Sequence, residues 1–159
     1  MPQEFGERPN AVPWPPLIYS AALLIAWALE RWDRFVWLDA MLAHLPHWVG
    51  LAVFAVGVGL DLWALWVLRR NSTTVLPNAK SSRLVQTGPY RFSRNPIYLG
   101  NTLAMIGLAL ALRWGWLLFL VPVTVAAIVW LAISREERHL EIRFGSAWKD
   151  YSAKVRRWL

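Results

Sequence analysis

Long apolar runs alternate with polar, basic segments along this chain. Four apolar runs cover residues 17–29, 48–68, 96–112 and 114–134. The last three approach the roughly 20 residues that a helix needs to cross a bilayer. The first run is short for a crossing and is expected to extend by a few residues or to tilt. The pattern predicts an all-α integral membrane bundle with about four transmembrane helices.

The segments around these runs predict the rest of the architecture. Residues 30–46 carry apolar side chains at helical spacing among charged ones, which is typical of a helix lying at the membrane interface. Residues 135–159 predict an amphipathic C-terminal tail, with a helix break at Gly145. The last two apolar runs are joined by a tight turn at Arg113, so they must be antiparallel neighbours.

Composition strengthens the membrane interpretation. Of the 159 residues, 57% are hydrophobic and 12 are tryptophan, whereas about 45–50% apolar residues are usual in soluble domains. The length suits a single membrane domain over residues 1–159. The chain has no cysteine, which excludes disulfides and thiolate nucleophiles. Its three histidines lack metal-ligand spacing, so we expect no metal site.

The net charge of +7 raises the question of which partner is acidic. Six basic residues lie within 69–94 and seven within 135–157, and both groups flank apolar runs. This placement follows the positive-inside rule and indicates anionic lipid headgroups rather than nucleic acid as partners. We therefore expect a bacterial inner-membrane protein whose N-terminus, 69–95 loop and C-terminal tail are cytoplasmic.

The segment 88–100, with the sequence GPYRFSRNPIYLG, is the strongest candidate for a functional site. Asn95 is a suitable N-cap and Pro96 suits the first helical turn, so the start of this helix could bind an anion. With four spans, Glu136 and Glu137 return to the same membrane surface. The alternative interpretations are plain helix initiation for the cap and surface ion pairing for the acids.

Asp61 is a separate candidate, because an acid inside an apolar run is costly at membrane depth. It either faces a partner or cavity, or lies near the interface and binds water or a loop amide.

Four motifs carry a resemblance to known proteins. They are Leu84-Val85 with Gly88-Pro89-Tyr90, Arg94-Asn95-Pro96-Ile97-Tyr98 with Gly100, Glu136-Glu137-Arg138-His139-Leu140, and Phe144-Gly145 followed by Tyr151 and Val155. With these motifs in this order, the sequence resembles the isoprenylcysteine carboxyl methyltransferases and the related phospholipid methyltransferases. The resemblance covers roughly residues 71–159, which would form the catalytic and cofactor-binding part, while 1–70 carries no comparable motif.

The resemblance implies S-adenosylmethionine as cofactor and assigns roles to individual residues. The implied cofactor contacts are Ser82, Arg83, Leu84, Val85, Tyr90, Asn95, Pro96, Ile97, Tyr98 and Glu136. Arg94 and Glu137 are the catalytic candidates, with Glu137 as the base if the nucleophile is an amine. Arg91 and Arg135 are the candidates for binding the substrate.

The sequence departs from the family pattern at two positions. Asn95 stands where the family usually has histidine, and asparagine cannot act as a base. Ala132 stands where eukaryotic members place an arginine that would hold the substrate carboxylate. Arg135, Arg91 or Arg94 is the expected substitute.

The sequence thus predicts a membrane methyltransferase that acts on a lipid-like or isoprenylated-cysteine-type acceptor, with carboxyl O-methylation favoured. Three alternatives remain. They are a phospholipid amino-headgroup N-methyltransferase, an NADPH-dependent enzyme like the sterol reductases, and a non-catalytic scaffold that binds anionic lipid.

Overall fold

The structure is a computed structural model in which residues 13–71 and 84–159 are described. Within those two ranges every regular element is helical, which confirms the all-α fold class. The elements are α1 (Trp14–Trp32), α2 (Val36–Ala43), α3 (His47–Arg70), the GPYR turn (Gly88–Arg91), α4 (Pro96–Leu112), α5 (Gly115–Ile128), the π turn (Val129–Ile133), α6 (Ser134–Phe144) and α7 (Ser146–Lys154).

Among the described residues, two helices are long and apolar enough to cross a membrane. One is α3, with 24 residues and a mean hydropathy of 2.1, and the other is the continuous 30-residue helix Gly115–Phe144, with a mean hydropathy of 2.5. Only 17% of the most apolar stretch of α3, and 28% of that of the longer helix, is buried inside the protein. A core helix of a soluble protein would be mostly buried. Helix α4 is apolar but shorter, and the count of four spans stays a prediction.

Helices α3 and α4 pack with their backbones in direct contact. A Cβ at Gly57 would lie 2.5 Å from the Ala104 nitrogen, and a Cβ at Gly50 would overlap the backbone of Ala111. Because residues early in α3 meet residues late in α4, the two helices are antiparallel. The glycines Gly50 and Gly57 thus allow the close approach of the two helices, whereas Gly59 faces open space.

Asp61 belongs to this same helix interface. A side chain at Gly100 of α4 would overlap the Asp61 carboxylate, so glycine is required there. The Asp61 Oδ1 atom is buried and has no hydrogen-bond partner among the described residues. The acid therefore faces the neighbouring helix.

The connection between α4 and α5 is the predicted tight turn. Arg113 adopts a left-handed conformation with φ of 56°, and the Trp114 amide donates to the Ala109 carbonyl at 2.9 Å. This geometry ends α4 and reverses the chain within two residues. Helix α1 completes this part of the core, where buried side chains from three helices meet: Ala22, Ala26, Met105, Ala109 and Leu117.

The predicted interfacial helix is shorter than its sequence pattern suggested. Helix α1 continues through Trp32, and the separate helix α2 has only eight residues. Polar groups in the last turn of α1 and just after it bind the start of α5. Glu30 Oε1 accepts a hydrogen bond from the Trp116 amide at 3.0 Å, and the Trp116 indole donates to the Asp33 carbonyl at 2.6 Å. These bonds satisfy a free amide of α5.

The C-terminal tail folds as two short helices, and the predicted break at Gly145 is confirmed. Gly145 has φ of 53° and ψ of −120°, a conformation that residues with a Cβ rarely adopt. Trp148 and Tyr151 of α7 are both buried, so α7 turns back onto the rest of the protein.

Candidate active site

The start of α4 is held differently from the way its sequence predicted. Pro96 is the first helical residue and Asn95 takes the N-cap position, as expected, but the Asn95 side chain caps no amide. Its Nδ2 donates instead to the Arg157 carbonyl at 3.2 Å, while its own amide donates to Ser93 Oγ at 3.1 Å. The prediction of side-chain capping is wrong, because the buried side-chain carboxamide of Asn95 binds the C-terminal tail.

A cavity of about 150 Å³ opens beside this helix start. We call it the charged cavity, and it is lined by Leu68, Tyr90, Arg94, Asn95, Pro96, Ile97, Tyr98, Glu136, Glu137, Leu140 and Trp148. The fold thus brings the segment around Asn95 together with the acidic pair of α6, as the hairpin topology predicted.

Glu136 is fixed by a tyrosine from the opposite wall. The Tyr98 hydroxyl donates to Glu136 Oε1 at 2.7 Å. Glu136 follows the π turn, in which the Ser134 hydroxyl donates to the Val129 carbonyl at 2.8 Å. A π turn widens the helix and changes the face that the following residues present. This local feature therefore helps to aim Glu136 at Tyr98.

Glu137 is held by two arginines. Arg157 approaches both carboxylate oxygens, with Nη2 2.6 Å from Oε2 and Nε 3.2 Å from Oε1. Arg94 Nη1 lies 3.5 Å from Oε1. The hydrogen bonds to Glu137 raise the pKa of the Arg157 guanidinium. Both Glu137 oxygens are thus engaged by cations, and the role of Glu137 as a base stays a prediction.

Arg94 keeps a donor available beside the cavity. Its Nε atom is buried without a hydrogen-bond partner among the described residues, and its Cζ lies 5.7 Å from the centre of the Trp148 ring. Buried donors are normally satisfied, so the described contacts leave one polar group of Arg94 without a partner. Burial raises the pKa of the nearby Tyr90 phenol above its usual range, which keeps that side chain neutral.

A second cavity, of about 350 Å³, lies between α1 and α4. We call it the apolar cavity, and it is lined by Pro15, Pro16, Tyr19, Ser20, Leu23, Ile97, Tyr98, Asn101 and Glu136. Ile97, Tyr98 and Glu136 line both cavities. The hydrogen-bonded Tyr98–Glu136 pair is therefore a wall that the two cavities share.

A sequence model described as "Phospholipid methyltransferase" matches residues 45–147, which is more than half of the chain. The chain belongs to the phospholipid methyltransferase family. Membership in this family confirms the resemblance seen in the sequence motifs. The match begins within the loop before α3, earlier than the boundary near residue 71 that the motifs suggested.

Two relatives extend the comparison. The nickel-cobalt-cadmium resistance protein NccN of Alcaligenes xylosoxydans xylosoxydans is 30% identical over 143 residues, which cover 89% of this chain and 60% of NccN. The chain thus spans less than two thirds of that relative. An uncharacterized protein of Haemophilus influenzae is 36% identical over 63 residues, which cover 40% of this chain and 79% of the relative. No solved structure matches the chain.

Some residues predicted to contact ligands lie away from the charged cavity. Leu84 and Val85 line neither cavity. Arg91 lines a separate outer groove together with Lys154 of α7, and Arg135 is exposed on α6. Two further predicted cofactor residues, Ser82 and Arg83, lie outside the described residues. In the part of the chain that is described, no group of three or more potential metal ligands occurs.

The structure adds site residues that the motifs did not indicate. Leu68 at the end of α3 and Trp148 of α7 line the charged cavity, and Arg157 binds Glu137 from the C-terminal tail. The amphipathic pattern of the tail did not single out Trp148 as a cavity wall. Nothing in the spacing distinguishes Arg157 from its neighbour Arg156, and both lie beyond the region that the family match covers.

Proposed function

We propose that this protein is an S-adenosylmethionine-dependent methyltransferase that modifies a lipid-like acceptor at the membrane surface. The observation that carries the proposal is the shared wall formed by Tyr98 and Glu136. On one side of that wall lies a cavity with charged residues, and on the other lies a mainly apolar cavity between two helices. Such a pair of cavities would let a polar methyl donor meet a lipid at one point.

The residues of the charged cavity fit a zwitterionic donor that carries a purine. Glu136 would accept hydrogen bonds from an ammonium or from ribose hydroxyls. The unpartnered Nε–H of Arg94 and the first amides of α4 would hold a carboxylate. Trp148 and Tyr90 would pack against the base. S-adenosylmethionine supplies a methyl group activated by a sulfonium when it is bound.

Carboxyl O-methylation is the reaction that the geometry favours. An acceptor carboxylate is already ionised, so its oxygen forms the new C–O bond while the S–C bond breaks, and no proton needs to be removed. A base is not required, and both oxygens of Glu137 are engaged by guanidinium groups. The chain's contribution is alignment, since well-oriented reactants gain about 7–11 kcal/mol.

N-methylation of an amino headgroup is the second candidate, and the description of the matching family favours it. A protonated amine must lose a proton before it can attack. Glu137 is the candidate base, but Arg157 would first have to release one of its oxygens. The reductase and scaffold alternatives gain no comparable support.

The proposal includes a membrane arrangement. Helices α1, α3, α4 and the continuous helix that starts with α5 would cross the bilayer, in a bacterial inner membrane. The N-terminus, the 69–95 loop and the C-terminal tail would face the cytoplasm, where S-adenosylmethionine and anionic headgroups are found. The charged cavity would then open at the cytoplasmic surface and the apolar cavity toward lipid.

The experiment is calorimetry on the purified protein in nanodiscs, followed by transfer of a labelled methyl group to a total lipid extract. We expect saturable binding of S-adenosylmethionine, no binding of NADPH, and a labelled lipid that releases methanol in base, as a methyl ester does. The Glu136→Ala variant should lose binding, whereas Glu141→Ala, an exposed acid on the same helix, should retain it. A base-stable labelled lipid would favour N-methylation, and absence of binding by the unaltered protein would refute the proposal.

A further inference from the structure

Arg157, in the C-terminal tail, contacts both walls of the charged cavity. Its guanidinium binds Glu137 on α6 through two hydrogen bonds of 2.6 and 3.2 Å. Its main-chain carbonyl accepts hydrogen bonds from Ser93 Oγ and Asn95 Nδ2, both at 3.2 Å. One residue thus connects the segment that starts α4 with the helix that carries the acidic pair.

The residues on either side of Arg157 reinforce this attachment. The Arg94 amide donates to the Arg156 carbonyl at 3.0 Å. Trp158 packs against the buried cluster that contains Tyr98. Earlier in the tail, the Tyr151 hydroxyl donates to the Tyr90 carbonyl at 2.7 Å. The tail therefore contacts the segment that leads into α4 at several residues.

We propose that residues 155–159 form a clasp that closes the cofactor site, and that Arg157 is its positioning residue. The inference rests on the proposed function, since it concerns the same cavity. The clasp lies beyond residues 45–147, the region that the family model matches.

The physical reason lies in a competition between two arginines for Glu137. The Glu137 side chain is only 13% exposed, so its charge needs a close partner. While Arg157 supplies that partner, Arg94 stays 3.5 Å from Glu137 and remains a lining residue of the charged cavity. Without the Arg157 guanidinium, Glu137 draws Arg94 toward itself and away from the cavity.

The test measures S-adenosylmethionine affinity by calorimetry in nanodiscs for a set of tail variants. Arg157→Ala should weaken binding about tenfold or more, because hydrogen bonds to charged groups are lost. Arg157→Lys should recover part of the affinity. The matched control is Arg156→Ala, which removes the same charge from an exposed side chain and should bind like the unaltered protein.

A double variant separates positioning from a general loss of structure. Glu137→Gln added to Arg157→Ala removes the charge that attracts Arg94, so it should recover affinity relative to Arg157→Ala alone. A merely structural role predicts that the second substitution makes binding worse. Equal affinities for Arg157→Ala and Arg156→Ala would also overturn the proposal.

Hydrogen exchange on the ligand-free protein tests the clasp independently of the cofactor. Exchange at residues 93–98 should rise in Arg157→Ala and stay unchanged in Arg156→Ala. If the unaltered protein binds no S-adenosylmethionine but shows this exchange pattern, the proposed function fails and the clasp stands. If binding is normal and exchange at 93–98 does not respond, the clasp fails and the proposed function stands.

Discussion

Tyr98 and Glu136 are joined by a 2.7 Å hydrogen bond across 38 residues of sequence. Tyr98 lies on the first turn of α4 and Glu136 on α6, just after the π turn. Both side chains line the charged cavity and the apolar cavity. The bond therefore lies where ligands in the two cavities could meet.

Removing the hydroxyl of this pair should weaken binding of the methyl donor. In Tyr98→Phe the Glu136 carboxylate loses its hydrogen-bond donor and is free to leave the orientation that faces the cavity. We expect the S-adenosylmethionine Kd to rise about tenfold, as for the loss of one bond to a charged group. The control is Tyr19→Phe, whose hydroxyl lies at 3.3 Å from the Tyr98 carbonyl on the apolar side. An unchanged Kd in Tyr98→Phe would show that the pair does not bind the donor.

Filling the apolar cavity should affect the acceptor and not the donor. Ser20 lines that cavity, so Ser20→Trp would occupy space that the proposal assigns to lipid. We expect KM for the acceptor to rise severalfold while the S-adenosylmethionine Kd stays constant. Leu24→Trp adds a tryptophan to the same helix at a position that is 66% exposed, and it should change neither value. Equal acceptor kinetics for both variants would place the acceptor elsewhere.

The contact between α3 and α4 should tolerate no side chain at Gly57. Its Cβ would lie 2.5 Å from backbone atoms of α4, and forcing atoms into a packed contact costs about 1–3 kcal/mol. Gly57→Ala should therefore lower the thermal unfolding midpoint. Gly59→Ala, two residues away and facing open space, should leave it unchanged or raise it slightly because alanine favours helix. A similar midpoint for both variants would contradict the observed packing.

The cysteine-free chain allows the number of spans to be measured directly. His44 lies between α2 and α3, and Lys154 lies at the end of α7. Both residues are exposed, so a single cysteine introduced at either position can be labelled. In right-side-out membrane vesicles an impermeant maleimide should label His44→Cys and not Lys154→Cys. If only the two most apolar helices crossed the membrane, both positions would lie on the same side and would label alike.

Local patterns in the sequence were enough to predict the helices. The π turn did not follow from those patterns, because apolar residues continue through it without interruption. Four runs became α1, α3, α4 and the long helix that begins with α5, since each offers enough apolar surface to form and bury a helix. The break at Gly145 followed from local backbone preference.

The motifs also predicted some of the residues that the fold brings together. Tyr90, Tyr98 and Glu136 were expected to share a site, and the cavity contains all three. The reason is topological, since a helical hairpin returns the chain to the surface it left. The same reasoning could not predict which way the Arg91 side chain points, or that Glu136 and Glu137 bind different partners. Both depend on which side of a helical turn faces the cavity.

By itself, the sequence determined the membrane character, the helical class, the hairpin and the family, because each of these depends on local pattern or on contiguous motifs. Only the tertiary structure decided which partners the buried polar groups take. Asn95 binds a carbonyl 62 residues away rather than capping its own helix, and Glu137 binds Arg157. A buried polar group must be satisfied by whichever donor or acceptor packing brings close, and sequence spacing carries no record of that choice.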